Sequence, residues 1–273
     1  YGEFNELGYY TGNKNEALFA AGLAPFLLRR TYEDLGKSQE AKFTQHINKL
    51  PIWWVQNEVQ HYLEKEMDGA FDDDEYEDAT PGIHFISLLL HLRQKLENVA
   101  ADCVTEIINN KQRKEQTLVF SNFRAPLDVI SQNLTVMHDI VTGETKEKER
   151  KEVFQAFNDG KIKVLLTTFG TTSTGVDFPN VNRTIFNGLP LESTQLHQAI
   201  MRTVRINSRD DVSKKSFTFI NNGTIIDEWV LALLASKVTN LRQFVTTPTL
   251  SDMPKNQISR GAALMILRNI LEV

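Results

Sequence analysis

The stretch VLLTTFGTTSTGVDFPNVNRTIFNGLPLESTQLHQAIMRTVR, residues 164–205, decides how this chain is read. With Lys163 before it, KVLLTTF is a short apolar run that predicts a strand. A loop of glycine and hydroxyl residues continues to Gly175-Val176-Asp177. RTIFNG at 183–188 predicts a second strand, and STQLHQAIMRTVRI a helix after it. On that helix Leu196, Ala199, Ile200 and Val204 share one face and suit a core. The other face carries Gln195, then Gln198, Arg202 and Arg205 at i, i+4, i+7. A half-buried helix with such a stripe presents amide and guanidinium groups to something outside it.

The same alternation runs outward from about residue 111. TLVFSN (117–122) and SFTFI (216–220) predict strands, and TVMHDIVTG ends in a turn at Gly143. PLDVISQNL (126–134), KEKERKEVFQAFNDG with Gly160 as its stop, and NGTIIDEWVLALLASKVTNLRQFV predict helices. Apolar strands alternating with helices predict an α/β fold, a parallel sheet with helices on both faces. Loops at the carboxyl ends of such strands are where these folds bind ligands.

Residues 1–110 read differently, as mostly helical and irregular sequence. NEALFAAGLAPFLLRR predicts a helix interrupted at Pro25, and LPIWWVQNEVQHYLEKEMDGA an extended start running into a helix. The acidic tract FDDDEYEDATPG (71–82) reads as a solvated loop, or else as a partner-binding or DNA-repelling insertion. HFISLLLHLRQKLENVAADCVTEIINN predicts a long amphipathic helix broken near its middle. The expected organisation is thus a helical region 1–110, an α/β domain 111–245, and a tail 246–273 carrying a short amphipathic helix.

Composition narrows the function classes. A net charge of -5 and a pI near 5.8 argue against a basic nucleic-acid coat, though an acidic protein can carry a local positive groove. One cysteine, Cys103, excludes an internal disulfide and a cysteine-based zinc site, and fits a reducing cytoplasmic or nuclear compartment. His84 and His91 share a helical face without companion ligands, so no metal site is expected. No apolar run approaches about 18 residues, which disfavours a membrane span. Gly36-Lys37-Ser38 ends like a phosphate-binding P-loop, but Thr31 stands where that motif needs glycine. Trp53-Trp54 suits a core or a base-stacking platform. A chain opening on Tyr1 is expected to be a piece of something longer.

The loop after Thr167-Thr168 suits phosphate oxygens through its backbone N–H groups and hydroxyls, and a carboxylate there suits a ribose hydroxyl. Arg202 and Arg205 suit the charge that spreads over a transferring phosphoryl group, or surface salt bridges worth under about 1 kcal/mol.

In these residues the chain resembles the second RecA-like lobe of superfamily 2 helicases and translocases. Thr167-Thr168 through Asp177 resembles motif V, Gln198, Arg202 and Arg205 resemble the Q-x-x-x-R-x-x-R of motif VI, and TLVFSNF resembles motif IV. Gly143, Thr145, Arg150 and Phe157 resemble the G-x-T…R…F segment that follows it. The flanks resemble the Snf2-like branch. LAPFLLRR with Leu50-Pro51 is similar to the brace between its lobes, HLRQKL (91–96) to its L-R-Q helix, and NGTIIDEWVLALLASK to its G-T-I-E-E…K segment. The likeness covers about residues 20–245, in the family's order. Departures mark a divergent, phage- or bacterial-type member. Met201 stands in place of glycine, VRINS replaces H-R-I-G-Q, TTS replaces A-G-G, Asp177-Phe178 replaces N-L, and Leu189-Pro190 is what remains of W-N-P.

The resemblance implies half of an ATP-dependent DNA helicase or translocase. Arg205 would act as arginine finger, with Arg202 and Gln198 beside it. Such fingers are worth about 10³–10⁵ in rate, some 4–7 kcal/mol. ATP and Mg2+ would be held mainly by a first RecA-like lobe upstream, with Gly175 allowing close backbone approach and Asp177 on the ribose. Ser121, Asn122, Arg124, Thr145 and Thr168 would hold DNA phosphates, each with a turn or capping reading open beside it. Such contacts tolerate any base sequence and weaken with salt. The alternative is a non-catalytic nucleic-acid-binding or scaffold module that keeps the fold.

Overall fold

In the computed structural model residues 2–4, 10–13, 40–69, 81–110, 115–174, 176–204 and 214–244 are described. The brace segment, the Gly36-Lys37-Ser38 tripeptide, most of the acidic tract, Gly175, Arg205 and the tail beyond 244 lie outside them. The described strands are β1 (Gly2–Phe4), β2 (Tyr10–Asn13), β3 (Glu40–Ile47), β4 (Thr117–Ser121), β5 (His138–Val141), β6 (Val164–Thr168), β7 (Arg183–Phe186) and β8 (Lys214–Asn221). The helices are α1 (Ile52–Gly69), α2 (Pro81–Asn109), α3 (Arg124–Asn133), α4 (Glu147–Asn158), α5 (Ser193–Thr203) and α6 (Ile225–Phe244).

β1 and β2 pair as an antiparallel ribbon. The other six form one sheet in the order β3-β8-β7-β4-β6-β5, every pairing parallel. Burial on both faces explains why β4 reads as TLVFS, with all its residues buried. Period-two alternation splits the strands between two cores. Leu118, Phe120, Leu165, Phe186 and Phe217 face α4, α5 and α6, while Val119, Leu166, Ile185 and Ile220 face α2 and α3. On the first face a phenylalanine ladder crosses the strands: Phe43 on Phe217 at 5.0 Å, Phe219 on Phe186 at 5.2 Å, Phe186 on Phe120 at 5.7 Å.

The strands and helices expected after residue 111 are present, and three expectations are corrected. The EAKFTQHI segment is not irregular. It is edge strand β3, paired with β8 from Glu40↔Lys214 to Ile47↔Asn221, so the sheet takes in sequence from before residue 110. Its alternation is weak because an edge strand buries little beyond Phe43. The helix at 81–109 is unbroken over 29 residues, about 43 Å at 1.5 Å per residue. Its apolar stripe shifts partners part-way. Leu88, Leu89, Leu92 and Leu96 pack with α1, whereas Ala100, Ala101, Val104 and Ile108 pack under the sheet. Finally, α5 stops at Thr203 and Val204 is extended, with φ -90 and ψ 98. The β-branched pair Thr203-Val204 and the Thr203 hydroxyl on the Ile200 carbonyl (2.9 Å) favour that stop. The helix therefore ends before it reaches Arg205.

Trp53 and Trp54 separate in role: Trp54 joins the α1–α2 core, and Trp53 is exposed. Among the described residues no helix is long and apolar enough to cross a membrane.

Candidate functional site

All six sheet strands run the same way, so their carboxyl ends share one edge. There β4 hands over to Ser121 and Asn122, β5 to the turn at 142–145, β6 to a 3-10 turn (Phe169–Thr174), and β7 to Asn187-Gly188-Leu189.

The motif VI helix meets the motif V loop directly. The Phe178 N–H donates to the Arg202 carbonyl at 2.8 Å, and Arg202 Nη1 lies 3.5 Å from Asp177 Oδ1. The Arg202 side chain is only 15% exposed and that of Asp177 43%, so the pair is open to solvent mainly on the carboxylate side. Leu196, Ala199, Ile200 and Val204 are buried as the sequence pattern requires, and Gln198 is exposed beside Arg202. Thus α5 presents Gln198 outward, while Arg202 is largely covered and turned onto Asp177. Lys215 braces the same loop from β8: its ammonium donates to the carbonyls of Val181 (2.6 Å) and Pro179 (2.9 Å).

The five residues expected to hold phosphates have different surroundings. Arg124 opens α3 with its side chain 56% exposed, paired with Glu144 and, at 3.5 Å, with Asp128. Thr145 accepts a bond from the Thr142 N–H at 3.0 Å, and Arg150 donates to the Thr145 carbonyl at 3.0 Å, fixing that turn. The Thr168 and Thr171 hydroxyls bond each other at 2.7 Å. Ser121 is a correction. It is fully buried and donates to Glu97 Oε2 at 2.5 Å, so its hydroxyl does not open to a phosphate. Asn122 is likewise engaged, through its N–H on Glu97 Oε2 (2.9 Å) and its amide on Glu97 Oε1 (2.6 Å) and the Leu189 carbonyl (3.1 Å). The cause is α2, which crosses the ends of β4 and β7 and carries a carboxylate into the place solvent would hold.

Glu97 is part of a polar hub that sequence reasoning missed. Arg93, one turn earlier on α2, donates to the Leu189 carbonyl at 2.6 Å. The Asn187 amide donates to the Glu97 carbonyl at 2.9 Å, and the Asn222 amide to the Leu96 carbonyl at 3.3 Å. Asp227, in the first turn of α6, accepts from the Thr224 hydroxyl (2.8 Å) and the Asn222 N–H (3.2 Å). Burial pushes the Glu97 carboxyl above its ordinary range, against the Ser121 and Asn122 donors and Arg93. Burial raises Asp227 too, against its Thr224 and Asn222 bonds, and lowers Arg93 despite both carboxylates. A cavity of ≈ 170 Å³ opens beside the hub, lined by Phe43, Arg93, Asn187, Phe219 and Asp227 among others, away from the arginine face of α5. A signal was present: in HLRQKLE the charges of Arg93 and Glu97 fall on the apolar stripe of Leu89, Leu92, Leu96 and Ala100 rather than opposite it.

Residues 99–207 match the family model of the helicase conserved C-terminal domain. Among solved structures, the C-terminal part of the Fun30 ATPase domain superposes with a TM-score of 0.54 at 12% identity, covering 85% of this chain and 97% of that one. The C-terminal domain of the DEAD-box protein Dbp5 gives 0.44 at 17% identity over 64% of this chain and 91% of its own. The E. coli DEAD-box protein SrmB gives 0.42 at 19% identity over 52% and 79%. No curated protein sequence matches the chain. Residues 99–207 are thus similar to the helicase conserved C-terminal domain, and the all-parallel six-stranded sheet with its helices is a RecA-like fold.

Proposed function

We propose that this lobe is the C-terminal half of a DNA-dependent ATPase of the Snf2-like type, a helicase or translocase. The observation that carries the reading is the junction of α5 with the motif V loop, which brings Arg202 and Asp177 together, with Gln198 one turn earlier on α5, beside the amino ends of β7 and β8. ATP with Mg2+ would sit between this junction and a first RecA-like lobe that supplies the P-loop. Arg202 and Arg205 would meet the phosphates, Asp177 the ribose, and Gly175 would let the backbone approach. DNA would cross the carboxyl edge of the sheet, with Arg124, the Thr145 turn and Thr168 toward its phosphates and Asn122 contributing through the turn it holds. The brace, L-R-Q and G-T-I segments support the Snf2-like branch, as does a fold match to the Fun30 ATPase lobe that extends over 85% of the chain.

The test is ATP turnover by the full-length parent with no nucleic acid, single-stranded DNA, duplex DNA, branched DNA and RNA. Stimulation by DNA over RNA is the expected result; stimulation by RNA alone would replace the Snf2-like reading with an RNA helicase. A scaffold that keeps only the fold is the second reading, favoured by Met201 in motif VI and by the engagement of Arg202 with Asp177. It requires DNA binding with no turnover.

A further inference from the structure

We infer that Glu97 is a positioning residue for the turn that carries Arg124, and that Gly188 is the space that lets it act. This deepens the function proposed above and rests on it. Glu97 is 3% exposed and receives three donors from two consecutive residues, Ser121 and Asn122. Besides Glu97 the turn is held by the Asn122 amide on the Leu189 carbonyl at 3.1 Å. Phe123, the residue before α3, offers no side-chain cap, and its N–H reaches only the Ser121 hydroxyl at 3.4 Å. The next residue is Arg124, the exposed cation of the proposed DNA edge.

Packing alone does not account for a carboxylate here. An apolar side chain of similar volume fills such a place without the desolvation cost of a buried charge. What the carboxylate adds is direction, since its two oxygens fix one hydroxyl, one backbone N–H and one amide at once. Gly188 completes the device. A Cβ at that position would stand 2.4 Å from Glu97 Oε1 and 2.5 Å from Cδ, so any side chain displaces the carboxylate from its donors. The β7 loop is tied to the same helix turn through Asn187 and the Glu97 carbonyl. Through Glu97, α2 therefore sets the β4 and β7 loops relative to each other.

Glu97→Gln, Gly188→Ala and the double variant, each in the full-length chain, test this. Three quantities are read: hydrogen exchange at the Asn122 amide, turnover without nucleic acid, and the DNA concentration giving half-maximal stimulation. Each single variant is expected to speed Asn122 exchange and raise the half-maximal DNA concentration by about tenfold, the effect of weakening hydrogen bonds to a charged group. DNA-free turnover should stay within about twofold, because the interaction lost is one made with DNA bound. The double variant should be no worse than Glu97→Gln, since Gly188→Ala works through Glu97. Unchanged exchange and unchanged DNA dependence in both single variants overturn the inference. So does additivity in the double variant, or a loss of DNA-free turnover in proportion to folded protein, which marks a merely structural role. If the wild type shows no DNA stimulation the functional reading falls, and Asn122 exchange alone then decides whether Glu97 anchors the turn.

Discussion

Lys215→Met probes how the motif V loop is held. Lys215 is 2% exposed on β8, and its ammonium donates to the Val181 and Pro179 carbonyls at 2.6 and 2.9 Å. Methionine keeps most of the aliphatic stem and removes the donor. Each carbonyl left without it costs about 1–3 kcal/mol, and losing a buried ammonium's desolvation cost returns part of that sum. Both bonds are short and charge-assisted, so the loss wins, by about 2 kcal/mol net. For a chain of this size that is roughly 4–8 °C in Tm, at 2–4 °C per kcal/mol. Thermal and urea unfolding followed by circular dichroism read it, with the urea midpoint falling at constant slope. The loop that relaxes begins at Asp177, so the variant should also weaken the Asp177–Arg202 pairing, read as faster exchange at the Phe178 amide. Stability within about 0.5 kcal/mol of wild type, a surface-substitution value, would refute the reasoning.

Phe178→Ala should cost about 3–5 kcal/mol, because this fully buried ring makes edge contacts with Phe154 at 5.4 Å and Phe157 at 5.6 Å on α4; denaturant titration checks it. The pH dependence of stability has a definite sign. Glu97 and Asp227 are raised in the folded chain, so the native state binds more protons than the unfolded state between the ordinary carboxylate pKa and the raised value. Their contribution is fully present below the ordinary range and is lost as pH rises through the raised values. Lowering pH from neutral toward that range should therefore raise Tm, and Glu97→Gln should flatten the rise. A Tm that falls steadily on acidification from neutral, unchanged by Glu97→Gln, would show that other carboxylates govern.

Much of the sheet was legible because β4, β6, β7 and β8 are buried on both faces and read as apolar runs, with glycine marking the end of α4 at Gly160 (φ +78). The edge strand β3 was not, since Lys42, Gln45, His46 and Ile47 are exposed and only Phe43 joins the ladder. The continuity of α2 was obscured by a stripe that changes partner from α1 to the sheet. At the site, helical spacing placed Leu196, Ala199 and Ile200 inward and Gln198 outward correctly, but it carried the helix one turn too far toward Arg205. Ser121 illustrates a different gap. A hydroxyl at a strand end suits a phosphate in sequence, and only the crossing of α2 reveals that Glu97, 24 residues away, takes it. Long-range polar partners of this kind leave no local period; the trace they do leave is a charge on an apolar stripe, as at Arg93 and Glu97.

The most direct test of the proposed two-lobed ATPase is DNA-stimulated turnover by the full-length parent beside its Arg205→Ala and Arg202→Ala variants, with DNA affinity measured on the same samples. An arginine finger predicts a loss of three or more decades, about 4 kcal/mol or more, in Arg205→Ala with DNA binding retained. Turnover that survives Arg205→Ala within about tenfold would contradict that role and leave the arginines as surface partners.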